Sequence, residues 1–121
     1  MIFAAFVEDS PEELRLLILV SDLHLADDPI RASFDAVTFL RELAAQLDQC
    51  PEGDTARLVL LGDVFELLKT ARWRDTPLRP WHPHSDELGA EVAAIARAII
   101  AANDAFFAGL RQLQATRGLQ V

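Results

Sequence analysis

The sequence predicts an α/β fold built around a parallel pair of strands, and three observations carry that prediction. Residues 16–20 are five consecutive apolar residues, and Arg57 leads a second short apolar run, Leu58-Val59-Leu60-Leu61; both suit strands buried on two faces. Between them, apolar residues recur at spacings of three and four, the pattern of a helix with one apolar face. Strand, helix and strand in that order make a right-handed parallel crossover the default, which places the carboxyl ends of both strands on one sheet edge.

The elements follow in chain order. Residues 2–7 are apolar and fit either a strand or an unstructured leader. Residues 14–20 form the first expected strand. Asp28 is a candidate N-cap and Pro29 a candidate first helical residue for the next helix. Its expected apolar face is Phe34, Val37, Leu40, Leu43, Ala44 and Leu47, and Pro51, Glu52 and Gly53 should close it. After the second strand, Gly62 and Asp63 lead into an expected short helical stretch reaching Leu68.

Residues 69–85 then read as a loop insertion, because Pro77, Pro80 and Pro83 exclude a continuous helix there. Ser85 is the expected cap of a long helix over 86–116, with Asp86 and Glu87 in its first turn facing the positive end of the dipole. The stripe is Leu88, Val92, Ile95, Ile99, Phe106, Leu110 and Leu113, with Ile100 and Phe107 beside it. Unbroken, such a helix would be about 45 Å long at 1.5 Å per residue, so a break near Asn103 or Gly109 is anticipated. Gly118 is the expected C-terminal cap, and Leu119, Gln120 and Val121 read as the first residues of another strand.

The chain has 121 residues, enough for one domain or part of one, and a net charge of −8. That charge argues against a nucleic-acid or anionic-membrane binder. The acidity is uneven: Lys69, Arg72, Arg74 and Arg79 lie close together with His82 and His84, against the single acid Asp75. Cys50 is the sole cysteine, so no intrachain disulfide forms and no C-x-x-C motif exists. The apolar N-terminus has no basic lead and is a poor secretory signal, and no apolar run approaches the roughly 18 residues of a membrane span. A cytoplasmic protein is expected.

Chemistry is expected where the buried strands stop. Ser21, Asp22 and His24 follow the first, and Gly62, Asp63 and Glu66 follow the second. Open α/β sheets place ligands in the crevice beyond the carboxyl ends of strands. Asp22 and His24 are two apart, so in extended chain they project to one side and can close on one cation. Glu66 is expected to orient the loop or meet a basic side chain.

Ser21-Asp22-Leu23-His24-Leu25, followed after a helix by an apolar strand and Gly62-Asp63-Val64-Phe65-Glu66, resembles the calcineurin-like metallophosphoesterase family, nearest to its UDP-2,3-diacylglucosamine hydrolase branch. The likeness covers about the first 66 residues. It implies the N-terminal half of a metallophosphoesterase β-sandwich with flanking helices. It also implies hydrolysis of a phosphoester or pyrophosphate by two divalent metal ions of the manganese, iron or zinc class. Asp22 and His24 would then hold the first metal and Asp63 would bridge both. Two metals roughly 3.5 to 4 Å apart activate water and neutralise charge developing on a phosphoryl group.

The family pattern continues with a Gly-Asn-His block, a further histidine and a Gly-His-x-His block. None of these occurs here, and Ala102-Asn103-Asp104 is no substitute. The expectation is therefore a partial domain over 1–121 that stops before the third ligand block, lacks the acid-base histidine and is inactive in isolation. Small-molecule phosphoesters or nucleotide-linked lipids are the implied substrates. Arg72, Arg74 and Arg79 are candidate phosphate contacts, since guanidinium forks match phosphate geometry. His82 and His84 are candidate substrate contacts or exposed loop histidines. The alternative is a non-catalytic binding or oligomerisation module with a degenerate metal site, self-associating through the apolar stripe of its last helix if that stripe is uncovered.

Overall fold

The computed structural model describes residues 2–10, 13–28, 34–51 and 54–121, with the backbone alone described for 2–10 and 13–15. The fold is mixed α/β. Strands β1 (Ile2–Ser10), β2 (Glu13–Val20) and β3 (Thr55–Leu60) form one sheet in that spatial order. β1 is antiparallel to β2, so residues 2–7 are strand. β2 and β3 are parallel, in a register that runs from Arg15 opposite Thr55 to Val20 opposite Leu60. This is the crossover expected of a strand, helix, strand order.

The sheet is not buried equally on its two faces. Leu16, Ile18 and Val20 of β2 and Ala56 and Leu58 of β3 are fully buried, while Leu17, Leu19 and Val59 on the opposite face are only half-buried. The buried face belongs to one cluster with Phe39, Leu43, Leu47, Ile95, Ile99, Phe106 and Leu110 from the helices.

Helix α1 (Ala36–Leu47) starts later than the sequence suggests. Its cap is Asp35, not Asp28: the Asp35 carboxylate accepts from Val37 N at 3.0 Å and Thr38 N at 3.2 Å. Pro29 lies outside the described residues, as do Glu52 and Gly53 of the expected helix stop. Phe34, just before the cap, stacks on Phe39 four residues into the helix with ring centroids 5.5 Å apart, a hydrophobic staple that fixes the entry angle. The Phe39 ring sets the rotation of the helix, so Phe39, Leu43 and Leu47 face inward and Val37 is 75% exposed rather than part of the apolar face.

After β3 the expected short helix through Leu68 does not form. The segment pairs with the first loop instead: Leu25 and Phe65 form a parallel bridge and Glu66 N donates to Leu25 O at 2.8 Å. The insertion over 69–85 contains one turn of 3-10 helix, Ala71–Arg74, capped by Thr70.

The expected single helix over 86–116 is two: α2 (Asp86–Ala102), capped by Ser85, and α3 (Asp104–Arg117), bent by 73°. Asn103 makes the break. Its Nδ2 donates to Ile99 O and to Ala26 O, both at 2.8 Å, which ends α2 and ties the junction to the loop after β2. Bending brings Phe106 into the core, fully buried, where Phe34 meets it edge-on at 5.2 Å and 88°. Of the apolar stripe, Leu88, Ile95, Ile99, Phe106 and Leu110 are buried, Val92, Leu113 and Phe107 are half-buried, and Ile100 is exposed.

Gly118 closes α3 in the left-handed conformation at φ 63°. The next residues start along the outer edge of β3: Leu58 N donates to Gln120 O and Gln120 N to Ala56 O, a parallel bridge. Among the described residues no single helix is long and apolar enough to cross a membrane.

Helices α1 and α3 meet at Gly109, where a Cβ would lie 2.3 Å from Leu40 Cδ1 and 3.1 Å from Leu40 Cγ. Gly109→Ala is expected to destabilise the protein by a net ~1 kcal/mol, because overpacking costs about 1–3 kcal/mol against roughly 1 kcal/mol gained in helix propensity. With Leu40→Ala already in place the same change is expected to stabilise. Urea unfolding of the four proteins, analysed as a double-mutant cycle, reads both signs.

Candidate metal centre

The pairing of β2 with β3 does not stop where the strands do. Leu61 N donates to Val20 O, His24 N to Asp63 O and Leu25 N to Val64 O, each at 2.8 Å. These bonds hold the two strand-end loops side by side, so their polar side chains share one edge of the sheet.

Within the first loop, Leu23 and Leu25 are buried in the core and Asp22 and His24 point outward. The segment is not the extended chain expected from the two-residue spacing. Asp22 and His24 both adopt left-handed backbone, with φ of 58° and 48°, because the chain must turn sharply to bury both leucines while pairing with the second loop. Asp63 is left-handed as well, at φ 47°, and follows Gly62 at φ 143°. A side chain on Gly62 would find open space but not a comfortable backbone, so conformation and not crowding explains this glycine. Aspartate and histidine tolerate the left-handed region better than most residues, though each such position carries some strain.

Ligand atoms of Asp22, His24 and Asp63 all lie within 4.8 Å of one another. Two ligands on opposite sides of a cation are about 4.2 Å apart at roughly 2.1 Å per bond, so the three side chains fit a single divalent ion after small rotamer adjustments. Two carboxylates with one imidazole form a donor set suited to manganese, iron or zinc. Among the described residues this is the one such group of three.

The residues around the cluster orient it. Ser21 Oγ donates to Asp22 Oδ2 at 2.7 Å. His24 Nδ1 lies 3.2 Å from Glu66 Oε2; a carboxylate only accepts, so Nδ1 carries the proton and Nε2 keeps its lone pair for a cation. Glu66 Oε2 also accepts from Lys69 Nζ at 2.7 Å. The hydrogen bond from Lys69 is the main cause of a Glu66 carboxyl held below the ordinary glutamate value of 4.5, with the Lys69 charge and the His24 bond acting in the same direction against partial burial. Glu66 thus meets a basic side chain, Lys69, as expected, and also contacts His24. Lys69 was missed as its partner, although the three-residue spacing from Glu66 to Lys69 is a sequence signal for such a pair.

None of the five basic loop residues joins the cluster. Arg72 pairs with Glu91 on α2 at 3.2 Å, which removes it as a ready phosphate contact. Arg79 Nη1 donates to the carbonyls of Trp73, Thr76 and Leu78 and so fastens the insertion together. His82 Nδ1 accepts from Arg79 N at 3.3 Å, a turn contact, and His84 is exposed. Arg74 is exposed and, with Arg79, lines a cleft beside Lys69. Thr70, buried, donates to Asp27 and anchors the start of the insertion to the loop after His24, a contact with no sequence signal.

No protein-family model matches the chain, and neither a curated protein nor a solved structure matches it.

The Lys69 bond carries a pH prediction. A carboxyl depressed in the folded state contributes stability that is present above its unfolded value and lost as pH falls through the folded one. Carboxyl NMR titration is expected to place Glu66 below 4.5, and Lys69→Ala to move it upward. An unchanged Glu66 midpoint in Lys69→Ala would show that the bond does not form in solution.

Proposed function

We propose that the chain carries the N-terminal half of a metal-dependent phosphoester or pyrophosphate hydrolase of the calcineurin-like metallophosphoesterase type. Asp22, His24 and Asp63 would hold a divalent cation, Asp63 being the ligand shared with a second. The convergence of these three side chains at two adjacent strand ends, within 4.8 Å, is the observation that supports this reading most. A cation there would supply positive charge opposite a phosphoryl group and lower the pKa of water. Asp22 and Asp63 would bring the negative charge that binds it, and Glu66 would hold His24 in the tautomer with Nε2 free.

The half-buried second face of the sheet, Leu17, Leu19 and Val59, favours a sandwich, since an apolar face of this kind is what a second layer covers. With Asp63 as the sole shared ligand for a second cation, and no acid-base histidine at the cluster, metal binding is expected to outlast turnover in this chain. The same incomplete ligand set keeps a second reading in view, a non-catalytic module with a single-metal site. A nuclease is disfavoured by the net charge of −8.

Calorimetric titration with Mn²⁺ tests the reading. Binding in the micromolar range is expected, lost in Asp63→Ala and weakened roughly 10- to 100-fold in Glu66→Gln, the usual effect of removing a partner that orients a ligand. Mn²⁺ binding lost in Asp63→Ala supports the hydrolase reading, which expects little turnover of bis(p-nitrophenyl) phosphate from this incomplete ligand set; indifference to metal overturns it, and indifference together with dimerisation supports the non-catalytic module.

A further inference from the structure

The insertion over 69–85 builds a cleft of about 310 Å³ whose wall includes Lys69, Trp73, Arg74, Arg79 and Trp81. Three features of it are unusual in so acidic a chain. Both tryptophans of the protein lie on it, and Trp81 is 77% exposed. Arg74 makes no hydrogen bond or ion pair among the described residues, while the partners of Arg79 Nη1 are neutral carbonyls that leave its charge uncancelled. And Lys69, on the same wall, bonds Glu66, which bonds His24, so the cleft and the candidate metal ligands share a boundary.

We propose that this cleft binds the non-reacting part of the substrate, an anionic organic phosphate carrying a flat ring, with the ring on Trp81 and an anionic oxygen at Arg74. An exposed indole next to uncompensated guanidinium groups supplies both halves of such recognition: a stacking face and a planar fork matched to phosphate. The volume sits at the lower end of small-molecule sites, about 300 to 1,000 Å³, which suits a ring with its phosphate and not a long acyl chain. That the ligand is a substrate rests on the phosphoesterase reading. That it binds does not, because none of the groups invoked is a metal ligand.

The two tryptophans make the experiment direct. Intrinsic fluorescence is followed in EDTA while phenyl phosphate, adenosine monophosphate or glycerol phosphate is added. Either ring-bearing phosphate is expected to give a saturable change, at least tenfold tighter than glycerol phosphate. Arg74→Ala should weaken it at least tenfold, and Trp81→Leu should erase the preference for a ring. The tighter of the two ring-bearing probes identifies a nucleoside or a simple aryl group as the source.

Because the probes are titrated in EDTA, loss of Mn²⁺ binding and loss of ligand binding are scored separately. No saturable change with either ring-bearing probe, or equal affinity in Arg74→Ala, overturns the proposal even if the metal centre is verified. Arg74 and Trp81 are both exposed, and circular dichroism of each variant verifies that it is folded.

Discussion

The parallel register of β2 on β3, carried past the ends of both strands, is the constraint on which the rest depends. Six residue pairs from Arg15 with Thr55 to Val20 with Leu60 set the register, and the bonds from His24 to Asp63 and from Leu25 to Val64 continue it through the loops. A register slip of one residue would send every side chain to the opposite face. Leu23 and Leu25 would leave the core and Asp22 and His24 would enter it, at a cost in lost burial and buried charge that no local rearrangement offsets. The burial of two leucines and the outward placement of Asp22 and His24 are thus one structural decision.

That decision leaves a locally unfavourable cluster. Asp22 and Asp63 repel across at most 4.8 Å, which amounts to about 1 kcal/mol in high-dielectric surroundings. Asp22, His24 and Asp63 all have left-handed backbone, a conformation that costs on the order of 1–3 kcal/mol where it is strained. The parallel hydrogen bonds and the buried leucines hold this geometry in place from beneath. A cation would remove the repulsion while using the backbone as it stands, which is the sense in which the loops are prepared for one. Lys69 contributes from the other side: its hydrogen bond to Glu66 is the main cause that lowers the Glu66 carboxyl below its ordinary value, and the same Oε2 lies 3.2 Å from His24 Nδ1.

Much of this was legible in the sequence because it follows from local pattern. Runs of apolar residues marked β2 and β3, the polar residues at their ends marked Asp22, His24 and Asp63, and Ser85 and Gly118 marked two helix ends correctly. What escaped depends on partners distant in sequence. Asp28 and Asp35 are equally good caps by chemistry; the stacking of Phe34 on Phe39 and Phe106 selects Asp35. Asn103 was one of two candidate break points, and its bond to Ala26 O, 77 residues away, selects it over Gly109. Gly109 has a different task, the close approach of α3 to Leu40, which requires knowing that α1 and α3 touch. The short helix expected after Asp63 failed for the same reason: its backbone groups find Leu25 before they can find each other.

The insertion is where local pattern says least and charge distribution says most. Its three prolines exclude a continuous helix, and beyond the single 3-10 turn the chain relies on side-chain staples: Arg79 to three carbonyls, Trp73 Nε1 to Leu67 O at 2.8 Å, and Thr70 to Asp27. Each of these uses a polar group to satisfy a backbone or carboxylate acceptor, as a segment without ladder hydrogen bonds must. Arg72, drawn to Glu91, fastens the insertion to α2. Of the four cations in the segment, three therefore shape it, and Arg74 is the one that makes no hydrogen bond or ion pair among the described residues. A protein with a net charge of −8 has many places to neutralise an arginine. Arg74 instead lines, with the exposed Trp81, the cleft wall that Lys69 joins to Glu66 and through it to His24, and its charge is left facing solvent there.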